Sequence, residues 1–235
     1  MRTLAGMSDS PTLVAATHGT RDPAGRTVID LLRSAVAGLR AGLDVVEAYV
    51  DEDVQQPGLT SVLAALDEVV VVPVLLSAGY HVNVDVTHAV AAAGRAGIRA
   101  SRPLGPDPVL AEVLTDRLTE AGADDHAVVL AAAGSSDPRA ATDVEQMAEL
   151  LAARLGRAVT AAYATASEPA ITDVIGARHA AGESVAIASY LLARGYFHDR
   201  LHTVGAEVVT APLLPDSRIA ELVLRRYDEA LATAG

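Results

Sequence analysis

Two histidines, His18 and His81, follow apolar segments with the composition of buried β-strands. His18 lies in the sequence THGT, directly after residues 12–16, and His81 lies a few residues after the valine run at 69–72. Open α/β sheets bind ligands at the carboxyl ends of their strands. Neutral imidazole binds divalent Fe, Co, Ni and Zn, and it exchanges protons near neutral pH. The two residues therefore predict a metal or proton-transfer site, although hydrogen bonds to loop backbone would suit both rings equally well.

An acidic cluster, Asp51-Glu52-Asp53, follows the predicted strand at residues 44–50. A carboxylate at this strand end would complete a His/His/carboxylate set with metal positions left open. We assign Asp51 to this role, as a catalytic group. Glu47 and Glu52 are alternatives, and a simple solvated turn fits the same sequence.

The elements that would position these groups alternate along the chain. Asp22-Pro23 and Asp107-Pro108 each have the pattern of an N-cap followed by a proline in the first turn of a helix. Pro73 ends the third strand in this prediction, because proline cannot donate to a sheet. The predicted strands are residues 12–16, 44–50, 68–72 and 99–103, and the predicted helices are 23–41, 58–66, 84–96 and 108–120.

The same pattern then occurs a second time. The sequence LVAATHGTRDP at residues 13–23 aligns with VVLAAAGSSDP at 128–138, and VPVLLSAGY at 72–80 aligns with ASYLLARGY at 188–196. We therefore predict two α/β domains, residues 1–121 and 122–235, each a doubly wound parallel sheet with helices on both faces. Their strand ends should face each other across a cleft.

The histidines are not duplicated with the rest of the pattern. His18 aligns with Ala133, and His81 aligns with Phe197. A purely structural role would be expected to persist in both copies, so the loss from one copy favours a site in the other. The second copy carries a different polar set, which we predict to be a substrate-facing rim: Arg194, His198, Asp199, Arg200 and His202.

The composition excludes several classes of function. The formal net charge is −12, without a cluster of Lys or Arg, which argues against a nucleic-acid partner. There is no cysteine, so disulfides, thiolate catalysis and iron–sulfur clusters are excluded. The sequence has no dinucleotide or P-loop glycine motif, no run long enough for a membrane span and no signal peptide. We expect a cytoplasmic protein without an organic cofactor.

Three segments together resemble the class II tetrapyrrole chelatases, in particular the sirohydrochlorin iron- and cobalt-chelatases of the CbiX and SirB type. They are THGTR at residues 17–21, VEAYVD at 46–51 with Pro57, and VPVLLSAGYH at 72–81. The second copy resembles the repeat of the same family, and the resemblance covers nearly the whole chain. In this family the two histidines bind the metal and an acidic residue, usually glutamate, assists; they correspond to His18, His81 and Asp51.

The resemblance implies insertion of Fe²⁺ or Co²⁺, as substrate, into sirohydrochlorin without ATP, in siroheme or cobalamin biosynthesis. The ring, an octacarboxylate, would lie between the two copies. The sequence leaves iron against cobalt open, and a monomer is plausible because two fused repeats can replace a dimer of single copies. The residues predicted to contact this substrate are Thr20, Arg21, Gly79, Ser135, Arg194, His198 and Arg200.

One alternative is a two-lobed protein that binds or delivers a divalent metal or a tetrapyrrole without catalysis. A closed metal site would favour metal delivery, and an open site facing a wide cleft would favour the chelatase. A tetrapyrrole-binding module that has lost its activity is disfavoured, because both histidines are present.

Overall fold

Two parallel sheets of four strands each form within residues 10–79, 81–165 and 167–233, the part of the chain that the computed structural model describes; for residues 81–83 only the backbone is described. The first sheet has the order β2-β1-β3-β4 and the second the order β6-β5-β7-β8. The identical order confirms the duplicated α/β fold. The strands are β1 (Thr12–Thr17), β2 (Val45–Tyr49), β3 (Val69–Pro73), β4 (Ile98–Ala100), β5 (Ala127–Ala132), β6 (Val159–Tyr163), β7 (Val185–Ser189) and β8 (Val208–Val209).

Helices connect the parallel strands, as crossover connections require. The single helix predicted over residues 84–96 is instead a π-helical turn (His81–Val86) followed by a shorter α-helix. In the described ranges, none of the helices combines the length and the apolar character that crossing a membrane demands. The helices are α1 (Pro23–Leu39), α2 (Leu59–Ala64), α3 (Thr87–Ala93), α4 (Pro108–Glu120), α5 (Pro138–Leu155), α6 (Ile171–Ala180), α7 (Tyr196–Leu201) and α8 (Ser217–Ala232).

Both predicted N-caps are present. The Asp22 carboxylate accepts a hydrogen bond from the Ala24 N–H at 2.8 Å, and the Asp107 carboxylate accepts one from the Val109 N–H at 3.0 Å. In each case the proline at the first helical position lacks an N–H that would have no partner within the helix. These short-range interactions fix where α1 and α4 begin, and hence where the preceding loops end.

The strand boundary predicted before Pro73 is wrong by one residue. Pro73 is the last residue of β3 and pairs with Ala16 of β1. The other neighbour, β4, pairs only with residues 69–71, so the missing N–H of Pro73 faces no strand on that side. The Val74 N–H then donates to the Ala16 carbonyl at 2.8 Å, and the backbone continues towards residues 75–79 without a lost bond.

The last helix of each half packs on the sheet of the other half. Helix α4, from the first half, packs against α5 and β7, and helix α8, from the second half, packs against α1 and β3. One core cluster therefore contains buried residues of both halves, including Leu13, Leu114, Leu130 and Val223. Two smaller clusters fill the outer faces of the sheets. Because of this exchange, the two sheets share one core. The division of the chain at residues 121/122 stays a prediction from the sequence repeat.

Candidate active site

A cleft lies between the carboxyl ends of the two sheets. It contains two adjoining cavities, of about 470 Å³ and about 410 Å³. Both are lined by residues from the ends of strands in both halves, which is the arrangement predicted from the repeat. Among the described residues, those that line both cavities are His18, Leu75, Ala133, Leu191, Leu192 and Phe197.

His18 follows β1 directly and is exposed to the cleft. Its backbone carbonyl accepts a hydrogen bond from the Asp51 N–H at 3.2 Å, which fixes the turn against the loop after β2. Gly19 has φ +98°, a conformation that glycine adopts without strain, so the chain reverses immediately after the histidine. The imidazole is thus presented at the strand end rather than packed in the core.

His81 begins the π-helical turn that precedes α3. Its side chain lies outside the described residues, as does Tyr80 before it, so the pairing of His81 with His18 stays a prediction. Among the residues that the structure describes, no group of three or more His, Asp or Glu is arranged to hold a metal ion. The assignment of His18 and His81 as a metal-binding pair therefore rests on the sequence alone.

The three acidic candidates after β2 lie in different places. Asp51 is half-buried beside the His18 turn. Glu47 is engaged elsewhere: it forms an ion pair with Arg33 at 3.0 Å and accepts a hydrogen bond from the Tyr49 hydroxyl at 3.0 Å. Burial, followed by that bond, raises the pKa of Tyr49 to about 12. Glu52 is exposed, and its side chain folds against Gly58. Asp51 is therefore the candidate whose backbone is bonded to His18, but it is not among the described residues that line either cavity.

Three of the predicted substrate-binding residues lie in the cleft lining and also hold turns. The Thr20 N–H donates to Gln55 Oε1 at 3.1 Å. The Ser135 N–H donates to Ser167 Oγ at 3.0 Å, and Gly79 lies so close that an added Cβ would be 3.1 Å from Ser135 Oγ. These residues shape the walls, and Arg21 and Arg194 line the 410 Å³ cavity as exposed charges.

Two further residues of that set lie less favourably. His198 lines the 410 Å³ cavity but is only 4% exposed, and its Nε2 lies 3.0 Å from the Thr210 carbonyl oxygen. Its ring also packs edge-on against His202. Arg200 is exposed on α7 and is not among the described residues lining either cavity. The roles of both stay predictions, with His198 already engaged in holding its own loop.

The cleft is basic although the whole chain is acidic. The described residues lining the two cavities include no Asp or Glu, whereas Arg21, Arg26 and Arg194 line the 410 Å³ cavity. The formal net charge of −12 is carried by other surfaces. A local patch of this sign can attract an anionic ligand despite the charge of the whole protein.

An aromatic pair at the mouth of the cleft was missed in the sequence. Tyr196 is 69% exposed and Phe197 is 39% exposed, and their rings meet edge to face at 5.4 Å between centroids. Two adjacent exposed aromatic rings form an apolar patch, and exposed apolar patches beside a groove are typical of ligand-contact surfaces. The available signal was the alignment itself, because Phe197 occupies the position that His81 has in the first copy.

The duplicated fold with its open cleft defines a protein of the chelatase type. The model of the family CbiX matches residues 12–121 and 127–230, and the chain belongs to this family. A comparison with curated protein sequences gave no match.

Solved structures have the same fold over nearly the whole chain. SirB from Bacillus subtilis with Fe³⁺ matches with a TM-score of 0.77 at 21% identity, over 94% of this chain and 95% of that one. The sirohydrochlorin chelatase SirB from Bacillus subtilis subspecies spizizenii in complex with cobalt matches with 0.74 at 19% identity, over 94% of each chain. CbiX, the terminal enzyme for siroheme biosynthesis in denitrifying bacteria, matches with 0.69 at 21% identity, over 94% of this chain and 99% of that one.

Proposed function

We propose that this protein is a sirohydrochlorin chelatase, which inserts Fe²⁺ or Co²⁺ into sirohydrochlorin without ATP, in siroheme or cobalamin biosynthesis. The observation that carries the proposal is the open cleft between two sets of strand ends, with an exposed imidazole, His18, in the lining of both cavities. Membership of the CbiX family supports it, as do solved structures of chelatases with iron and with cobalt.

The metal ion enters this reaction as a substrate. We assign its binding to His18 and His81, on the wall formed by the first half. Two neutral imidazoles bind a borderline divalent ion while leaving positions open for other ligands. The pyrrole nitrogens of the ring can then occupy those positions as water leaves. A closed site would retain the ion, and the exposure of His18 favours transfer over storage.

Insertion also requires two pyrrole N–H groups to lose their protons. A histidine released from the metal can accept one near neutral pH, and we assign the relay of protons to solvent to Asp51. The divalent charge entering the ring balances the two protons that leave it. Binding the ring in a puckered form would direct its nitrogen lone pairs to the ion, which is preferential binding of the reacting geometry.

The substrate chemistry matches the cleft lining. Sirohydrochlorin has an apolar ring surrounded by carboxylates, and the cavities combine apolar walls with arginines and without acidic residues among those described. We assign carboxylate binding to Arg21 and Arg194, with Thr20, Gly79 and Ser135 forming the walls beside the ring. The mostly apolar walls would exclude water around the bound ring. Ion pairs between its carboxylates and the arginines would then be stronger than in bulk water.

The test is anaerobic incubation of the protein with sirohydrochlorin and either Fe²⁺ or Co²⁺, followed by absorbance. We expect a rate well above that of the solution without protein. His18→Ala and His81→Ala should each reduce that rate to the uncatalysed value. His179→Ala is the matched control, because His179 is on the surface of α6, paired with Glu207, and should retain the wild-type rate.

The same assay, compared with binding measurements, also distinguishes a chelatase from a delivery protein. A delivery protein would bind Co²⁺ or sirohydrochlorin but leave the insertion rate at the uncatalysed value. A fully active His18→Ala protein would refute the assigned site even if the activity itself were present.

A further inference from the structure

The segment that follows β3 in the sequence precedes His81, and its described residues 75–79 lie beyond the end of β3. Its backbone groups need partners outside a sheet, because buried N–H and C=O groups are rarely left unpaired. Two of those partners come from the second half. The Tyr190 hydroxyl donates to the Leu76 carbonyl at 2.7 Å, and the Ala78 N–H donates to the Asp143 carboxylate at 2.6 Å.

Tyr190 is rigidly held at this position. It is 1% exposed, and its N–H donates to the Ala131 carbonyl at 2.9 Å, at the end of β7. Gly105 makes room for its hydroxyl, since an added Cβ there would collide with Tyr190 Oη and with the Leu76 carbonyl oxygen. Burial, and then the nearby Asp143 carboxylate, raises the pKa of Tyr190 well above its ordinary value. The hydroxyl is therefore a permanent donor.

Asp143 is on α5, next to the buried Val144, and its carboxylate accepts the hydrogen bond from the Ala78 N–H of the first half. A charged acceptor makes a stronger hydrogen bond than a neutral one. The wall continues beyond it, because Gly79 approaches the Ser135 hydroxyl and the Ala140 side chain. Residues 76–79 are thus held by polar and van der Waals contacts with the second half.

Tyr190 and Asp143, like His18 and His81, each occur in one copy of the repeat without an equivalent in the other. In the alignment of the two copies, Asp143 corresponds to Val28 and Tyr190 corresponds to Val74. Neither valine can make the equivalent bond. The second half thus supplies the side-chain donor, Tyr190, and the side-chain acceptor, Asp143. The half with His18 and His81 supplies the two backbone groups that they bond.

We propose that Asp143 and Tyr190 are positioning residues, through which the second half fixes residues 76–79, the segment that precedes the assigned metal ligand His81 in the sequence. This inference rests on the proposed function for the role of the two histidines. It gives the second copy a task beyond forming a wall, since the metal site of one copy is completed by hydrogen bonds from the other. Partners that orient metal ligands commonly change metal affinity or activity by about 10- to 100-fold when removed.

The test uses three variants in the full chain. Tyr190→Phe removes only the hydroxyl, Asp143→Ala removes the carboxylate, and Asp143→Asn keeps an oxygen acceptor at the same position. Tyr227→Phe is the matched control, because the Tyr227 hydroxyl also joins the halves, donating to the Pro11 carbonyl at 2.6 Å, but outside the residues that line the cleft.

The first measurement is amide hydrogen exchange in peptides covering residues 76–86, without metal or tetrapyrrole. We expect faster exchange in this segment for Tyr190→Phe and Asp143→Ala, wild-type exchange for Tyr227→Phe, and recovery in Asp143→Asn. The second measurement is the affinity for Co²⁺ alone, by titration calorimetry, which should weaken by about tenfold in the same two variants and recover in Asp143→Asn. In the insertion assay their KM for the metal should rise more than their kcat falls.

Unchanged exchange and unchanged Co²⁺ affinity in both variants would overturn the inference. It would also be overturned if Tyr227→Phe changed residues 76–86 as much as Tyr190→Phe does, because the effect would then be general loosening of the two halves. A wild-type protein that binds Co²⁺ but inserts no metal would refute the proposed function alone, since the metal affinities would still report the positioning.

Discussion

Replacing Arg226 by methionine should strongly destabilise the junction between the two halves. Arg226 is on α8 and has no exposed surface. Its guanidinium donates to the Pro103 carbonyl at 2.8 Å, to the Leu104 carbonyl at 2.7 Å and to the Asp107 carboxylate at 2.7 Å. All three acceptors belong to the first half and precede α4. Methionine would retain most of the packing of the side chain but none of these bonds.

The size of the effect follows from what is left behind. Asp107 is 4% exposed, and without Arg226 it would lose its hydrogen bond to a fully buried guanidinium. The bonds from the Val109 N–H and from Arg225 would remain, with Arg102 at 3.9 Å. Breaking a buried ion pair by removing one partner costs about 3–5 kcal/mol. Domains have about 5–15 kcal/mol in total, so the loss would be a large fraction of the free energy of unfolding. For a chain of this length it corresponds to a melting temperature lower by roughly 10 °C.

Urea and thermal unfolding, followed by circular dichroism at neutral pH, measure this effect. Arg225→Met is the matched control: the neighbouring residue bonds the same carboxylate at 2.7 Å, but its side chain is 45% exposed. We expect a loss of at most about 1 kcal/mol there, as for other exposed pairs. Adding Asp107→Asn to Arg226→Met should recover about 1 kcal/mol or more, because a buried charge that has lost its buried partner is removed while the N-cap is retained.

The reasoning would be refuted if Arg226→Met cost no more than Arg225→Met. It would also be refuted if Asp107→Asn destabilised the Arg226→Met protein further, since the penalty would then not arise from a buried carboxylate that has lost its buried partner. An unchanged midpoint together with unchanged cooperativity would contradict the role of Arg226 in joining α8 to the first half.

Two further outcomes follow from the same structure. Phe197→Ala should raise the KM for sirohydrochlorin by about threefold to tenfold, because an aromatic contact contributes about 0.5–1.5 kcal/mol. The affinity for Co²⁺ alone, measured by calorimetry, should not change. An unchanged KM would exclude Phe197 from the ring-binding wall. Although burial opposes ionisation of Asp107, the hydrogen bonds from Arg226, the Val109 N–H and Arg225 hold the pKa of this carboxyl below its ordinary value. The ionised Asp107 carboxylate thus contributes fully to stability above about pH 4, and this contribution is lost as the pH falls through the lower, folded-state pKa. The urea midpoints of wild type and Arg226→Met should therefore converge in acid. A difference that stays constant with pH would contradict this.

The sequence was sufficient for the features that depend on neighbouring residues. N-caps at Asp22 and Asp107, the strand–helix alternation and the two copies follow from local patterns, because capping and hydrophobic periodicity act over a few residues. His18 could be placed at a strand end for the same reason. The boundary at Pro73 was wrong, since the partner strand β4 is too short to require the missing N–H, and strand length is set by pairing.

Tertiary structure decided which polar groups are available in the cleft. Glu47 and His198 have the right residue types, yet Glu47 is paired with Arg33 and His198 with the Thr210 carbonyl. Tyr190 and Asp143 carried no signal in their own sequence context, because their partners are backbone groups far along the chain. Hydrogen bonds of this kind leave no pattern in the partner segment, since every residue except proline offers the same N–H and C=O.

The sequence by itself determined that the chain has two α/β copies with histidines at strand ends of the first copy only. Only the tertiary structure decided that α4 and α8 are exchanged between the sheets, that the cleft is basic in an acidic protein, and that the second copy holds the segment before His81. The physical reason is the range of the interactions. Strands, helices and caps are encoded locally, whereas the exchange of helices and the lining of the cleft depend on which surfaces meet once two similar units pack together.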